Sequence, residues 1–395
     1  MIFSRSRFWR VVRSLSHKPQ RLPQPNQEIS GLVPTASHPI PADSEPPAVY
    51  RALRALDIFM DQNNKCNLQC KMCGFSDPRI QALPKYDMPF WLFARIAQQV
   101  FPQARYVTLS CLTEPLMTRD FSERLDLLKE FSVPVTEVVT NGMLLNERIL
   151  AKIIDASLTR LAISIDGVRA ETYEAIRIGA RFDRLMKHIH LFNQMRAARN
   201  TRVPALRLNW VLTESNIVEF PQFLELAQSL QADFVDVRTV LPFKNAAYQG
   251  TKEHVFWHEV KRCHTLLQEW TRRTGITDIG YLRTQPSVIE VFAENGERHS
   301  CMRPWNTLAI HANGDVHPCM SWARLPVGNL SQQTFEEIWN GAEITALRTE
   351  FAAKKPGIDC EHCVIKKDVP SDEGDDLFFR MLNKTAPKPL IFNAP

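Results

Sequence analysis

Residues 55–75 of the chain read ALDIFMDQNNKCNLQCKMCGF, and this stretch decides how the rest of the sequence is interpreted. Its first six residues form a short apolar run that is typical of a buried strand. A polar loop with three cysteines follows directly, at Cys66, Cys70 and Cys73. Three thiols therefore lie within eight residues of a loop that leaves the end of a strand.

The spacing of these thiols predicts a metal centre. Three thiolates can bind three irons of a cubane iron–sulfur cluster and leave the fourth iron without a protein ligand, which is the open position that a catalytic metal needs. A structural zinc site is the alternative. Zinc takes four ligands, and no fourth cysteine or histidine lies in this loop.

Strand and helix patterns alternate downstream of the loop. Buried strands that alternate with helices imply a parallel sheet with right-handed crossovers. Six such units predict an α/β fold, an open, TIM-like partial (β/α)6 barrel whose site lies at the C-terminal ends of the strands. The predicted strands cover 55–60, 105–110, 133–140, 160–165, 206–212 and 234–239, and the helices cover 89–99, 119–131, 146–156, 171–198 and 217–230.

A second group of cysteines lies near the C-terminus. The Asn-Gly-Asp turn at 313–315, between two apolar runs, predicts a β-hairpin that brings Cys301 close to Cys319. Cys360 and Cys363 complete the group as a Cys-x-x-Cys pair. Four thiolates can close a metal site, and the spacing fits both a cubane cluster and structural zinc.

Two cysteines and two histidines stand outside these groups. Cys111 and Cys263 have no partner at metal spacing, so we interpret them as small buried apolar residues. His311 and His317 flank the hairpin turn, and we expect them to form local hydrogen bonds rather than to bind metal.

The composition indicates an ordinary globular protein. The chain has 395 residues, of which 44% are hydrophobic and 23% charged, and its net charge of +5 is too weak to predict nucleic-acid binding. No apolar run approaches the roughly 18 residues of a membrane span. The cysteine pattern is no secreted disulfide framework, so we expect reduced thiols and a cytoplasmic location. Residues 1–53 form a basic arm and a Pro-rich linker, expected to be disordered or to touch an acidic membrane surface weakly.

The first cysteine loop resembles the radical S-adenosylmethionine (SAM) superfamily, and the resemblance extends over residues 54–240. It implies that Cys66, Cys70 and Cys73 hold a catalytic [4Fe–4S] cluster whose open iron chelates SAM. One electron from the cluster then releases a 5′-deoxyadenosyl radical, which abstracts hydrogen from a substrate. The chain departs from the family at Met72, where an aromatic residue is usual.

The same resemblance implies a set of SAM-binding residues at the strand ends. Residues 110–117, SCLTEPLM, are similar to the family's Gly-Gly-Glu-Pro segment, although Cys111 and Thr113 stand where glycines are usual. The acid of this segment is expected to hold the SAM ammonium group, an arginine the methionine carboxylate, and the polar residues after the fourth strand the ribose or substrate. The candidate cofactor-binding residues are Phe75, Glu114, Asn141, Ser164, Asp166 and Arg177.

The C-terminal cysteines resemble the SPASM/twitch extension of radical SAM enzymes. This resemblance implies one auxiliary [4Fe–4S] cluster, held by the thiolates of Cys301, Cys319, Cys360 and Cys363. A fully ligated cluster is suited to electron transfer, for example to accept an electron from a substrate radical. The expected domains are the arm and linker 1–53, a radical SAM core 54–245, a bridging helical segment 246–299, the auxiliary-cluster domain 300–370 and a tail 371–395.

Three functions follow as hypotheses. The leading one is a radical SAM oxidoreductase that oxidises a small alcohol or sugar by two electrons. The second is a maturase that modifies a peptide or protein, and the third is a zinc-stabilised binding protein without redox chemistry. The expected partners are a small-molecule or peptide substrate and an electron donor such as flavodoxin or ferredoxin.

Overall fold

The structure is a computed structural model that describes residues 56–110, 112–240, 254–279, 303–320 and 326–352. The predicted arm 1–53 and tail 371–395 lie outside the described residues, as do Cys111, Cys301, Cys360 and Cys363. Among the described helices, none is long and apolar enough to cross a bilayer.

One twisted sheet organises the described residues. Its strand order is β10-β9-β8-β1-β2-β3-β4-β5-β6-β7, and every pair from β8 to β7 is parallel. The predicted parallel series of six strands is therefore confirmed as β1 to β6. The strands are β1 Leu56–Met60, β2 Ala104–Thr108, β3 Val135–Thr140, β4 Arg160–Ser164, β5 Ala205–Leu212, β6 Phe234–Thr239, β7 Thr277–Asp278, β8 Thr307–Ile310, β9 Asp315–His317 and β10 Gly328–Asn329.

Helices connect the parallel strands and cover one face of the sheet. Their starts follow ordinary capping chemistry, as at Asn146, whose side chain accepts a hydrogen bond from the Ile149 N–H. The helices are α1 Pro78–Gln81, α2 Phe90–Val100, α3 Phe121–Lys129, α4 Glu147–Asp155, α5 Ala170–Ile176, α6 Phe182–Ala198, α7 Phe220–Ser229, α8 His254–Thr274, α9 Arg303–Asn306, α10 Phe335–Trp339 and α11 Ala342–Ala352.

The two faces of the sheet differ in polarity because strand side chains alternate. On the helix side, Trp210 of β5 is fully buried and packs on Phe223 of α7, with ring centroids 4.4 Å apart. The other face carries a row of buried charges: the Tyr106 hydroxyl donates to Glu137, and Arg207 lies 3.1 Å from Glu137 and 3.6 Å from Asp236. The face of the sheet that carries Tyr106, Glu137, Arg207 and Asp236 is therefore polar at these positions.

The prediction of one helix over 171–198 is wrong, because residues 177–181 separate α5 from α6. Gly179 has φ +93°, a conformation that no regular helix contains. The interrupted backbone bonds to the cysteine loop instead, since the Gln69 N–H donates to the Ile178 carbonyl (3.0 Å) and the Lys71 N–H to the Ile176 carbonyl (2.9 Å). The helix ends where its backbone is needed to hold the cysteine loop.

The predicted C-terminal hairpin is present as β8 and β9, and it joins the main sheet. Strand β8 pairs with β1 in parallel, with Asp57 opposite Thr307 and Met60 opposite Ile310. The structure therefore places this part of the C-terminal region directly beside the strand that leads into the cysteine loop. At the opposite edge, β7 adds a two-residue strand that is too short to have been predicted from periodicity.

Candidate active site

The loop after β1 carries the three cysteines into the protein interior. Cys70 is buried, Cys66 and Cys73 are partly buried, and none of the three forms a disulfide. Burial raises the pKa of all three thiols, that of Cys70 to about 12. Thiols in this environment lose their protons when a metal binds them, because the metal stabilises the thiolate.

Arg177 lies directly beside the loop. It is buried, its Nη1 is 3.8 Å from the Cys70 sulfur, and its Nη2 is 2.6 Å from Asp166 Oδ2. Asp166 is fully buried, and its Oδ1 accepts a hydrogen bond from the Val211 N–H at 2.7 Å. Asp166 thus contacts arginine and backbone instead of opening toward a ligand. The expected contact between Asp166 and the ribose or substrate finds no support in this geometry.

Glu114 lies in the loop after β2 and is nearly fully buried. Its carboxylate accepts hydrogen bonds from the Thr140 hydroxyl (2.7 Å) and from the N–H groups of Asn141 (2.8 Å) and Leu116 (3.2 Å). Burial still dominates and raises the pKa of Glu114 to about 7. A carboxylate in this state binds a cation favourably, because the cation compensates for lost hydration.

Asn141 connects the loop after β3 to the cysteine loop. Its Nδ2 donates to Asn67 Oδ1 at 2.9 Å and lies 3.9 Å from the Cys66 sulfur. Its Oδ1 accepts from the Met143 N–H at 2.9 Å. The side chain therefore fixes the position of the Cys66 side of the loop.

The two remaining sequence candidates lie at the rim of this site. Phe75 is buried in a small apolar cluster with Ile80 and Leu83, and the partly buried Cys66 and Cys73 pack against this cluster. Ser164 ends β4, is partly exposed, and stands opposite Asn209 of β5 in the register. The structure thus brings the cysteine loop, Glu114, Asn141 and Arg177 together. Phe75 belongs to the apolar cluster next to the cysteines, and Ser164 lies at the end of β4.

The polar segment 61–64, between β1 and the cysteines, belongs to the site although it was not predicted from the sequence. Its four side chains, Asp61, Gln62, Asn63 and Asn64, are each at most 2% exposed. Asn63 Nδ2 donates to the Glu114 carbonyl (3.0 Å) and Gln62 Nε2 to the Leu109 carbonyl (3.0 Å). Four consecutive polar residues between an apolar strand and a metal motif were a usable signal, since such residues are buried only when they are hydrogen-bonded.

Comparison with known families decides how these features are classified. A family model described as the radical SAM superfamily matches residues 63–205, which contain the cysteine loop and every candidate SAM-binding residue. The chain therefore carries a radical SAM domain. A second model, the SPASM iron–sulfur cluster-binding domain, matches residues 301–364 and includes all four C-terminal cysteines.

Several curated proteins are similar to this chain at low identity. It is 24% identical to the AdoMet-dependent heme synthase of Methanosarcina barkeri, over 71% of this chain and 80% of that protein. It is also 24% identical to the PqqA peptide cyclase of Rhizobium meliloti, over 73% and 74% of the two chains. A match at 25% identity to a probable GTP 3′,8-cyclase of Methanocaldococcus jannaschii covers 49% of this chain and only 61% of that protein.

A solved structure supports the fold. Streptococcus suis SuiB bound to S-adenosylmethionine superposes with a TM-score of 0.60 at 15% identity, over 84% of this chain and 75% of SuiB. At that identity the likeness concerns the fold alone.

The family implies a catalytic [4Fe–4S] cluster with SAM, and the SPASM domain implies auxiliary iron–sulfur binding. The residues present fit the first of these. Three soft sulfur donors share one loop, with the Arg177 guanidinium beside them to balance negative charge. For the auxiliary site only Cys319 is described, just after β9.

Proposed function

We propose that this radical SAM enzyme cleaves SAM reductively and abstracts hydrogen from its substrate, completing a two-electron oxidation with the help of an auxiliary cluster. The observation that carries the proposal is the convergence of the three-cysteine loop with Glu114 and Arg177 at the C-terminal edge of the sheet. A cluster bound at these thiols supplies one electron to SAM and so makes the 5′-deoxyadenosyl radical available.

The protein's own part in this reaction is to bind and to orient. Cys66, Cys70 and Cys73 hold the cluster, and Glu114 holds the SAM ammonium group. Arg177 has two candidate tasks, to balance the charge of the cluster and to meet the methionine carboxylate. Its fixed pairing with Asp166 favours the first. Ser164, partly exposed at the end of β4, is the candidate for a hydrogen bond to the ribose or the substrate.

We further propose one auxiliary [4Fe–4S] cluster held by Cys301, Cys319, Cys360 and Cys363, as an electron acceptor for the substrate radical. The domain limits proposed are the core 54–245, the bridging segment 246–299 and the auxiliary domain 300–370. A cytoplasmic location and a flavodoxin or ferredoxin donor complete the proposal. Cys66, Cys70, Cys73 and Cys263 form no disulfide in the structure, which is consistent with a reducing compartment.

The substrate class has two candidates. A small molecule fits the leading oxidoreductase hypothesis, and the similarity to a heme synthase supports it. A peptide fits the maturase hypothesis, which the similarity to PqqA peptide cyclase supports over a comparable share of the chain. The family matches give no support to the third hypothesis, a zinc-stabilised binding protein.

An anaerobic assay for 5′-deoxyadenosine tests the proposal. Protein reconstituted with iron and sulfide should form this product from SAM under strong reductant. Deuterium from a labelled substrate, small molecule or peptide, should then appear in it. Cys360→Ala should still cleave SAM but block substrate turnover. Full turnover by this variant would contradict the electron-transfer role, and failure of the wild type to cleave SAM would contradict the function itself.

A further inference from the structure

The buried segment 61–64 bonds to three neighbouring parts of the chain. Beside the contacts of Gln62 and Asn63 to the loop after β2, Asn64 Nδ2 donates to the Pro84 carbonyl at 2.8 Å. The backbone N–H of Asp61 donates to the Ile310 carbonyl, at the end of β8, at 2.9 Å. The segment therefore precedes the cysteine loop and connects the loop after β2, the residues after α1 and the C-terminal hairpin.

Asp61 holds the loop that presents Glu114. Its Oδ1 accepts hydrogen bonds from the Leu112 N–H (3.0 Å), the Thr113 N–H (3.2 Å) and the Thr113 hydroxyl (2.9 Å). Thr113 immediately precedes Glu114 and stands where the family usually has a glycine. Threonine is tolerated at position 113 because its hydroxyl donates to the buried Asp61 carboxylate. The same carboxylate accepts from the Thr113 N–H and so fixes the backbone, where a glycine would leave it flexible.

The second oxygen of Asp61 faces the C-terminal hairpin. His311 follows β8, and its Nδ1 lies 3.6 Å from Asp61 Oδ2, with side chains only 4% and 2% exposed. The β1–β8 register ends with Met60 opposite Ile310, so Asp61 and His311 follow as the next opposed residues. The His311 ring also packs edge-on against His317, with centroids 4.8 Å apart. Strand pairing and ring packing fix the histidine in place.

We propose that Asp61 is a positioning residue for SAM binding and that His311 orients it, so that the C-terminal hairpin contributes to the SAM site. The linkage runs from His311 through the Asp61 carboxylate and Thr113 to Glu114. Each step is a contact between buried groups, where electrostatic interactions are strong because water is excluded. The inference rests on the proposed function in one respect, the contact of Glu114 with SAM.

The test measures the dissociation constant for SAM by titration calorimetry on anaerobically reconstituted full-length protein, with iron content matched between variants. Asp61→Ala removes the acceptor of three hydrogen bonds and should weaken SAM binding about tenfold. His311→Leu should weaken it about threefold, whereas His311→Asn keeps a donor near the Nδ1 position and should bind like wild type. The double variant Asp61→Ala/His311→Leu should bind no more weakly than Asp61→Ala, because the histidine acts through Asp61.

Asp57→Ala is the matched control. Asp57 lies on β1, four residues before Asp61, and its carboxylate pairs with the exposed Arg105 at 2.7 Å, so SAM binding should not change. Should Asp61→Ala fail to fold, Asp61→Asn retains Oδ1 as an acceptor, loses the charge that faces His311, and should show only the threefold loss. The inference would be overturned if the Asp61 variants bound SAM as tightly as wild type. It would also be overturned if the loss of affinity in the double variant were the product of the two single losses. A wild-type protein that binds no SAM would instead overturn the proposed function.

Discussion

At the scale of single residues, the three loop cysteines are distinguished from other cysteines by their surroundings. Cys73→Ala removes one of the three proposed cluster ligands, so we expect loss of 5′-deoxyadenosine formation and loss of iron from the catalytic site. Cys263→Ala is the control, because Cys263 is equally free of disulfides but is buried in α8. It should retain iron and SAM cleavage. Iron analysis with product quantification by chromatography measures both, and persistent cleavage by Cys73→Ala would refute the ligand assignment.

A second prediction at the scale of single residues concerns Glu114 and the pH dependence of SAM binding. Its pKa is raised to about 7 by burial, so in the SAM-free protein the carboxyl is largely neutral at pH 6 and ionised at pH 8. Only the ionised form attracts a positively charged amino group. SAM affinity should therefore rise as pH increases from 6 to 8.

The control for this prediction is Glu114→Gln, which keeps the shape of the side chain but removes its titration. The variant should bind SAM more weakly at pH 8, and its affinity should depend less on pH. Binding isotherms at four or five pH values suffice for the comparison. If the SAM affinity of the wild type does not change with pH, or if that of Glu114→Gln changes more steeply, another group controls binding.

The sequence alone was enough to identify some residues of the candidate site but not others, for physical reasons. Cysteine spacing is a local property, so the three ligands could be identified without coordinates. Asp166 was predicted as a contact for the ribose or substrate, whereas its pairing with Arg177 depends on where a helix ends, which is a tertiary property. Asp61 escaped notice because its partners lie 51 or more residues away along the chain.

At the scale of elements, the loop after β3 depends on one glycine. Gly142 has φ +79°, and a Cβ there would lie 2.6 Å from Leu185 Cδ1 and 3.3 Å from Ile163 Cγ2. Gly142→Ala therefore adds a steric clash to backbone strain, and we expect it to destabilise the protein by about 2–3 kcal/mol. A lowered thermal unfolding midpoint would report this loss.

Gly275 allows the two effects to be separated. It has a similar φ of +74°, but among the described residues no atom would lie within 4 Å of a Cβ at this position, so Gly275→Ala carries backbone strain alone. We expect a loss of about 1 kcal/mol for it. Equal unfolding midpoints for the two variants would show that Leu185 and Ile163 move aside at no cost.

Hydrophobic periodicity was enough to predict the strand boundaries but not the break between two helices. The strands β1 to β6 were predicted within two residues at each end, because each combines an apolar run with a clear turn. The break between α5 and α6 was missed, since residues 171–198 contain no proline and Gly179 alone does not end a helix pattern. Its cause is the demand of the cysteine loop for backbone partners, which no local pattern encodes.

At the scale of the whole molecule, the described part of the C-terminal region is a continuation of the core sheet. Strand β8 pairs with β1 along four residues, and α2 holds the following segment, since Arg95 Nε donates to the Leu330 carbonyl at 2.9 Å. The buried side chains of Leu308, Ile310 and Val316 belong to the same apolar core as β1. The hairpin therefore stabilises the strand that leads to the catalytic loop.

This architecture predicts that the core cannot be isolated by cutting at the expected domain boundary. A chain that ends at residue 299 loses β8, which leaves the edge of β1 unpaired and exposes apolar side chains that the hairpin covers. We expect this truncated protein to aggregate or to unfold at a much lower temperature. Cys319→Ala in the full-length chain is the control, because it removes a proposed auxiliary-cluster ligand while leaving β8 in place. If sheet continuity stabilises the core, Cys319→Ala should remain soluble and still cleave SAM, whereas the truncated chain should do neither. A soluble, SAM-cleaving protein that ends at residue 299 would show that β1 needs no partner on that side.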